Sequence, residues 1–182
     1  MKITFPFRVG GYPLSAPELT ITSPFRHGEA ARLYDLLSLK VMNTPREPIY
    51  DAVVDLAATM FSTPMAFVSF LDAEKQWVKA AHGRDEAYET SHEVSFCAYT
   101  ISEPETMIVG DTLLDPRFRN HPLVEGPPHI RFYAGAQLIT ANRQCVGTVC
   151  IADVTPRFFE PERYRQLEKL ARVVVEALET RR

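Results

Sequence analysis

The sequence predicts an α+β domain, an antiparallel sheet with N- and C-terminal helices on one face and a loop-covered pocket on the other. Three observations predict it. Apolar runs pair into two hairpins, helical stripes flank them at both ends, and a long irregular excursion, residues 84–128, separates the hairpins. Strands joined by tight turns pair antiparallel, and the helices must then cover a sheet face. Loops of that length in a compact domain usually carry a lid or a binding pocket.

Taken in order, residues 1–26 hold Pro6, Pro13, Pro17, Pro24 and Gly10-Gly11. Proline fixes φ and removes donors, so an extended N-terminal arm is expected there, with the folded domain over 27–182. From Glu29 to Val41, Ala30, Leu33, Leu37 and Val41 recur at helical spacing, and Pro45 prevents continuation. Ile49 to Phe61 forms a second stripe through Val53, Val54, Ala57 and Met60. Met65 to Leu71 is apolar on both faces, as a covered central strand must be. Asp72 to Lys75 is the turn into a second strand, Gln76 to Ala81. Within the excursion, Phe96 to Ile101 reads as a short helix and Met107 to Val109 as a short strand. Ile130 to Ile139 and Val146 to Ala152 form the second hairpin, and Pro161 starts a helix over Glu162 to Thr180.

The bulk numbers bound the function. The chain has 182 residues, 46% hydrophobic and 24% charged, as in one globular domain with a core. Net charge is −3, and Arg163 and Arg165 are interspersed with Glu160, Glu162 and Glu168. That pattern argues against nucleic acid, whose phosphates call for a concentrated basic face. No apolar run reaches the ~20 residues that cross a bilayer, and residues 1–11 lack a signal-peptide core. A cytoplasmic location is expected. The three cysteines, Cys97, Cys145 and Cys150, form neither a disulfide framework nor a metal pair.

Several strings resemble one family. They are Asn43-Thr-Pro-x-Glu-Pro48, Asp72-x-x-x-Gln-Trp77, Ser95-Phe-Cys-Ala98, Asp111-x-x-x-Asp-Pro-Arg-Phe118, Ile130-Arg-Phe-Tyr-Ala-Gly-Ala136 and Gly147-Thr-Val-Cys-Ile-Ala-Asp153. In this order, over about Arg32 to Leu178, they resemble the small bacterial GAF domains that work as sensors. The resemblance implies a signal-transduction module that binds a small molecule and is not an enzyme. It names neither ligand nor cofactor. Cyclic-nucleotide-binding relatives carry an acidic pair that the stretch Thr155 to Arg163 lacks. Pigment-attaching relatives place other partners after their cysteine than Ala98 and Tyr99. Free methionine-sulfoxide reductases use clustered cysteines in a layout that this chain does not match. A cysteine-dependent reductase and a ligand-free dimerisation module stay open as alternatives.

The candidate ligand-binding residues are Phe96, Cys97, Tyr99, Asp111, Arg117, Phe118, Arg131, Tyr133 and Cys150. Arg131 and Tyr133 share one strand face. Arg131 either meets an anionic ligand group or pairs with Asp111 or Asp115. Arg117 either clamps an anion or belongs to the turn that Asp115 caps. Phe96, Tyr99 and Phe118 either wall a pocket or pack as core. Strand alternation places Cys145 opposite Cys150, so those two cannot pair. The histidines sit at no metal-ligand spacing; His121 and His129 lie in the long excursion, where they either line a pocket or take surface or capping places. On the last helix, Tyr164, Leu167, Ala171, Val174 and Leu178 form one seam and Leu170, Val173 and Ala177 another. One seam packs on the sheet and the other is left for a homodimer partner.

Overall fold

A computed structural model describes residues 28–83 and 88–181; the expected arm, residues 1–26, lies outside the described residues. Two helices, α1 (Glu29–Ser38) and α2 (Pro48–Phe61), precede a hairpin of β1 (Met65–Leu71) and β2 (Lys75–Ala81). The excursion holds β3 (Tyr88–Ser91), α3 (Phe96–Thr100), β4 (Met107–Val109) and α4 (Pro122–Glu125). The second hairpin is β5 (Phe132–Ile139) and β6 (Cys145–Asp153), and α5 (Pro161–Glu179) closes the fold. The six strands run in the order β3-β2-β1-β6-β5-β4, each pair antiparallel. The four-residue α4 escapes sequence periodicity because it spans barely one helical turn, and β3 (Tyr88–Ser91) because its polar residues carry no apolar alternation.

The sheet divides two cores. On one face Val68, Phe70, Phe132, Ala134, Leu138, Val149 and Ile151 meet α2 and α5. On the other, Met65, Tyr133, Cys150 and Ala152 meet the excursion. α2 buries Tyr50, Val53, Val54, Ala57, Ala58 and Phe61, and Ser62 ends it in a left-handed turn. Arg157 donates Nη1 to the Phe61 carbonyl at 3.1 Å and Nη2 to the Ser62 carbonyl at 2.6 Å, satisfying that helix end.

Three helix faces depart from expectation. On α2, Ile49 and Met60 of the expected stripe stay exposed. α1 turns inward Arg32, Asp35 and Leu36, leaving Leu37 and Tyr34 exposed. Hydrogen bonds decide this rotation. Arg32 donates to the Leu71 and Asp72 carbonyls at 2.6 and 3.1 Å, and Asp35 accepts from Thr140 Oγ1 and from Asn142 Nδ2. A buried polar side chain needs such partners, and only this face of α1 reaches them. α5 buries Leu167, Leu170, Ala171, Val174 and Leu178, drawing from both expected seams. Of the second seam, Val173 is exposed and Ala177 half-buried. A sheet covers a wider arc of a helix than a two-stranded coiled coil does.

Among the described residues no helix is long and apolar enough to cross a membrane.

Candidate functional site

On the second face of the sheet, α3 lies across β5, β6 and β1. Ser95 caps it, its Oγ accepting from the Ala98 N–H at 3.1 Å and donating to Gln76 Oε1. Gln76 Nε2 in turn donates to Ser69 Oγ at 2.8 Å, so the short helix is tied to the first hairpin. A five-residue helix is marginal by itself. These bonds, and those of Gln137 Nε2 to the Thr100 and Glu103 carbonyls, hold it in place.

The aromatic rings form one stack. Phe96 packs on Phe118 at 4.5 Å, on His121 at 4.6 Å and on Tyr133 at 5.0 Å between ring centroids. Tyr99 meets Phe118 edge-on at 4.9 Å. The Tyr133 ring can lie back along its own strand because Gly135 has no side chain. A Cβ there would stand 2.4 Å from the Tyr133 hydroxyl and 2.9 Å from Thr100 Oγ1. Gly135→Ala is therefore expected to displace Tyr133 and to lower stability by about 2 kcal/mol, read from the urea midpoint.

The Tyr133 hydroxyl lies 2.8 Å from Thr100 Oγ1 and 3.6 Å from Cys97 Sγ. Burial pushes its pKa well above the ordinary value, so it stays a neutral donor. Cys97 and Cys150 are both buried, with Sγ atoms 3.7 Å apart. Cys145 does not stand opposite Cys150: it packs against the same second-face cluster. Pairing slips between Leu138 and Ile139, which face Gly147 and Cys145, so Val146 is the extra residue of a bulge. One inserted residue reverses the alternation on its far side. Burial raises the Cys145 thiol to about 11.

His121 caps α4, its Nδ1 accepting from the Leu123 N–H at 3.1 Å. It is a cap, as expected, but a buried one, and burial pushes its pKa down to about 4. With Nδ1 accepting, the neutral ring carries its proton on Nε2, which is buried and has no partner among the described residues. Its sequence signals were its place in the long excursion and the Pro122 that follows it.

The charged candidates stand apart, around an open depression of about 530 Å³ lined by Ile108 to Asp111 and Leu114 to Arg117. Arg131 is bidentate on Asp111, with Nε at 3.0 Å and Nη2 at 2.8 Å. Arg117 is bidentate on Asp115 and also reaches Glu103 at 2.7 Å. Its guanidinium lies over the Phe118 ring at 5.0 Å. Both arginines already have carboxylate partners, and hydrogen bonds from them hold Asp111 and Asp115 below the usual carboxylate range. Phe96, Cys97, Phe118, Tyr133 and Cys150 thus come together in the interior, Tyr99 at their edge. Asp111 and Arg117 line the depression, and Arg131 joins it through Asp111.

The pattern of the whole chain decides its kinship. Residues 45–178 match the family model described as GAF domain. The chain belongs to the GAF family. A cyclic di-GMP phosphodiesterase of Pseudomonas aeruginosa is 38% identical to it over 162 residues, 88% of this chain and 27% of that protein. This GAF chain therefore spans about a quarter of that relative's length. Among solved structures, the GAF domain of an Acinetobacter phosphoenolpyruvate-protein phosphotransferase superposes with a TM-score of 0.60 at 12% identity, over 85% of this chain and 94% of that one. Free methionine-R-sulfoxide reductase of Neisseria meningitidis, with its substrate bound, gives 0.59 at 14%, over 83% and 90%. At such identities the two structures speak for the GAF fold alone.

Proposed function

We propose that this GAF domain is a sensory module that binds a small, partly planar molecule at the second-face aromatic cluster and reports through its terminal helices. The observation that carries this reading is the buried Nε2–H of His121 beside the Phe96–Phe118 stack. An unpaired buried donor costs about 1–3 kcal/mol, which a ligand acceptor would recover. The stacked rings suit a planar partner, and the depression beside Phe118 is within the usual range of ligand sites. Binding would move α3 or the 110–118 segment, since the rings are now in mutual contact.

A binding role fits the side chains better than catalysis. Arg117 and Arg131 are neutralised by carboxylates, and the thiols near the cluster are buried. The reductase alternative needs an organic substrate to reach those thiols past the aromatic stack. We place the module in the cytoplasm, with its cysteines reduced at rest. The likeness to a cyclic di-GMP phosphodiesterase supports an output tied to cyclic-dinucleotide turnover. Dimerisation is supported by apolar side chains left outward on the helical layer, Tyr34 and Leu37 on α1, Ile49, Leu56 and Met60 on α2, and Val173 on α5.

Native mass spectrometry of the reduced protein, with thermal shifts against a metabolite panel, tests the reading. The expected result is a dimer carrying a small mass, or a melting point raised by one class of planar metabolite. A bare protein that no metabolite stabilises would leave the dimerisation module as the better description.

A further inference from the structure

Cys97 on α3 and Cys150 on β6 come from different parts of the chain, yet their sulfurs touch at 3.7 Å inside the second core. We propose that Cys97 and Cys150 are a thiol pair oxidised by small hydroperoxides to an intramolecular disulfide. The inference goes beyond ligand sensing and does not depend on it.

The two thiols are not equivalent. Hydrogen bonding from Cys150 favours the Cys97 thiolate, with the Tyr133 hydroxyl at 3.6 Å adding to it, and pulls Cys97 below the usual thiol range despite burial. The same contact and burial push Cys150 well above that range. Cys97, the thiol that the Tyr133 hydroxyl also faces, is thus the nucleophile and Cys150 the resolving thiol. The Cys97 thiolate attacks one peroxide oxygen, the O–O bond breaks, and Cys97 becomes a sulfenic acid as hydroxide or alkoxide departs and takes up a proton. The Cys150 sulfur then attacks the Cys97 sulfur. The S–O bond breaks and the departing hydroxide takes the Cys150 proton as water. In sum, two thiols lose two electrons and two protons, and one hydroperoxide becomes water and an alcohol, or two waters.

Geometry favours the second step over side reactions. The sulfurs, already at contact distance, close from 3.7 Å to about 2.05 Å when they bond. The burial of Cys97 restricts the oxidant to hydrogen peroxide or an alkyl hydroperoxide of similar width. Bond formation also changes the sulfur that the Tyr133 hydroxyl faces at 3.6 Å, so oxidation reaches the aromatic stack directly.

Cys145 supplies an internal comparison. It is the more exposed thiol, but its Sγ faces the Gly147 carbonyl at 3.6 Å and is held protonated. The full chain, reduced and then treated with hydrogen peroxide, is unfolded in urea, alkylated and mapped by peptide mass spectrometry. The expected result is loss of two alkylation sites, a Cys97–Cys150 cross-linked peptide that dithiothreitol releases, and Cys145 still labelled. Cys145→Ser should leave the cross-link intact. Cys150→Ser should instead yield a dimedone adduct at Cys97. Three labelled cysteines after peroxide, earlier loss of Cys145, or Cys97 oxidised in the wild type without a cross-link would each overturn the proposal. Ligand binding is measured on the reduced protein, so the failure of one reading leaves the other standing.

Discussion

Lys79→Ala lowers the unfolding free energy by about 3 kcal/mol, and the melting temperature by about 10 °C in a chain of this size. Lys79 lies on β2, and its side chain is fully buried. Its ammonium donates to Thr44 Oγ1 and to the Pro45 carbonyl, each at 2.5 Å, and lies 2.7 Å from Glu47 Oε1. The Tyr50 ring centroid is 5.6 Å away. One charge therefore gathers the 44–47 segment and seats α2 against the sheet. Truncation strands the Pro45 carbonyl and removes a long apolar stem from the core. Glu47 is affected less, because it is part-exposed and also pairs with Arg181. Lys79→Met keeps the stem and loses only the charge, so it should recover part of the loss. Urea unfolding at pH 7.5 measures both. A Lys79→Ala chain within 1 kcal/mol of wild type would mean that the loop is held by other means.

Acid weakens the domain from about pH 6.5 downward, with His121 the chief cause and His92, which burial also lowers, a smaller one. The His121 pKa falls from the ordinary 6.5 to about 4 in the fold, through burial among Phe96, Phe118 and α4. Between those values the unfolded chain binds a proton at this ring and the folded chain does not. Stability therefore falls as pH drops through that window, by about 3 kcal/mol at pH 4. Below that, protonation of Asp111 and Asp115, both held below the usual range by arginine, adds to the loss. His121→Asn keeps an acceptor for the Leu123 N–H and does not titrate there. Its stability should fall much less from about pH 6.5 to 4.5, the remaining slope coming from His92, at some cost in packing at neutral pH. The comparison is urea unfolding at pH 7.5, 5.5 and 4.5, and an unchanged slope in the variant would assign the proton elsewhere. A ligand that accepts from Nε2 should deepen the effect, since it binds only the neutral ring.

Most of the frame was legible in the chain because it follows from local periodicity. β1 and β4 have the expected bounds, and the other long strands and helices fall within a few residues of theirs. The two-sided apolar run of β1 marked a sheet covered on both faces, and the long 84–128 excursion supplies the cover of the second. Residue pairing across long separations was less accessible. Arg131 with Asp111 was one of two options open from the sequence, and Arg117 with Asp115 and Glu103 followed from neither spacing nor charge alone.

The sequence by itself determined the long elements, the antiparallel architecture and the family, since each rests on order and spacing along the chain. Only the tertiary structure decided which face of α1 turned inward, because that depended on carbonyls and side chains brought from β1 and the β5–β6 turn. It alone decided the side of the sheet for Cys145, because one bulged residue at Val146 reverses the alternation. It also decided that Lys79 and His121 are buried, and that two thiols 53 positions apart in the chain touch. Burial of a polar group depends on partners that fold in from elsewhere, and no local pattern records them.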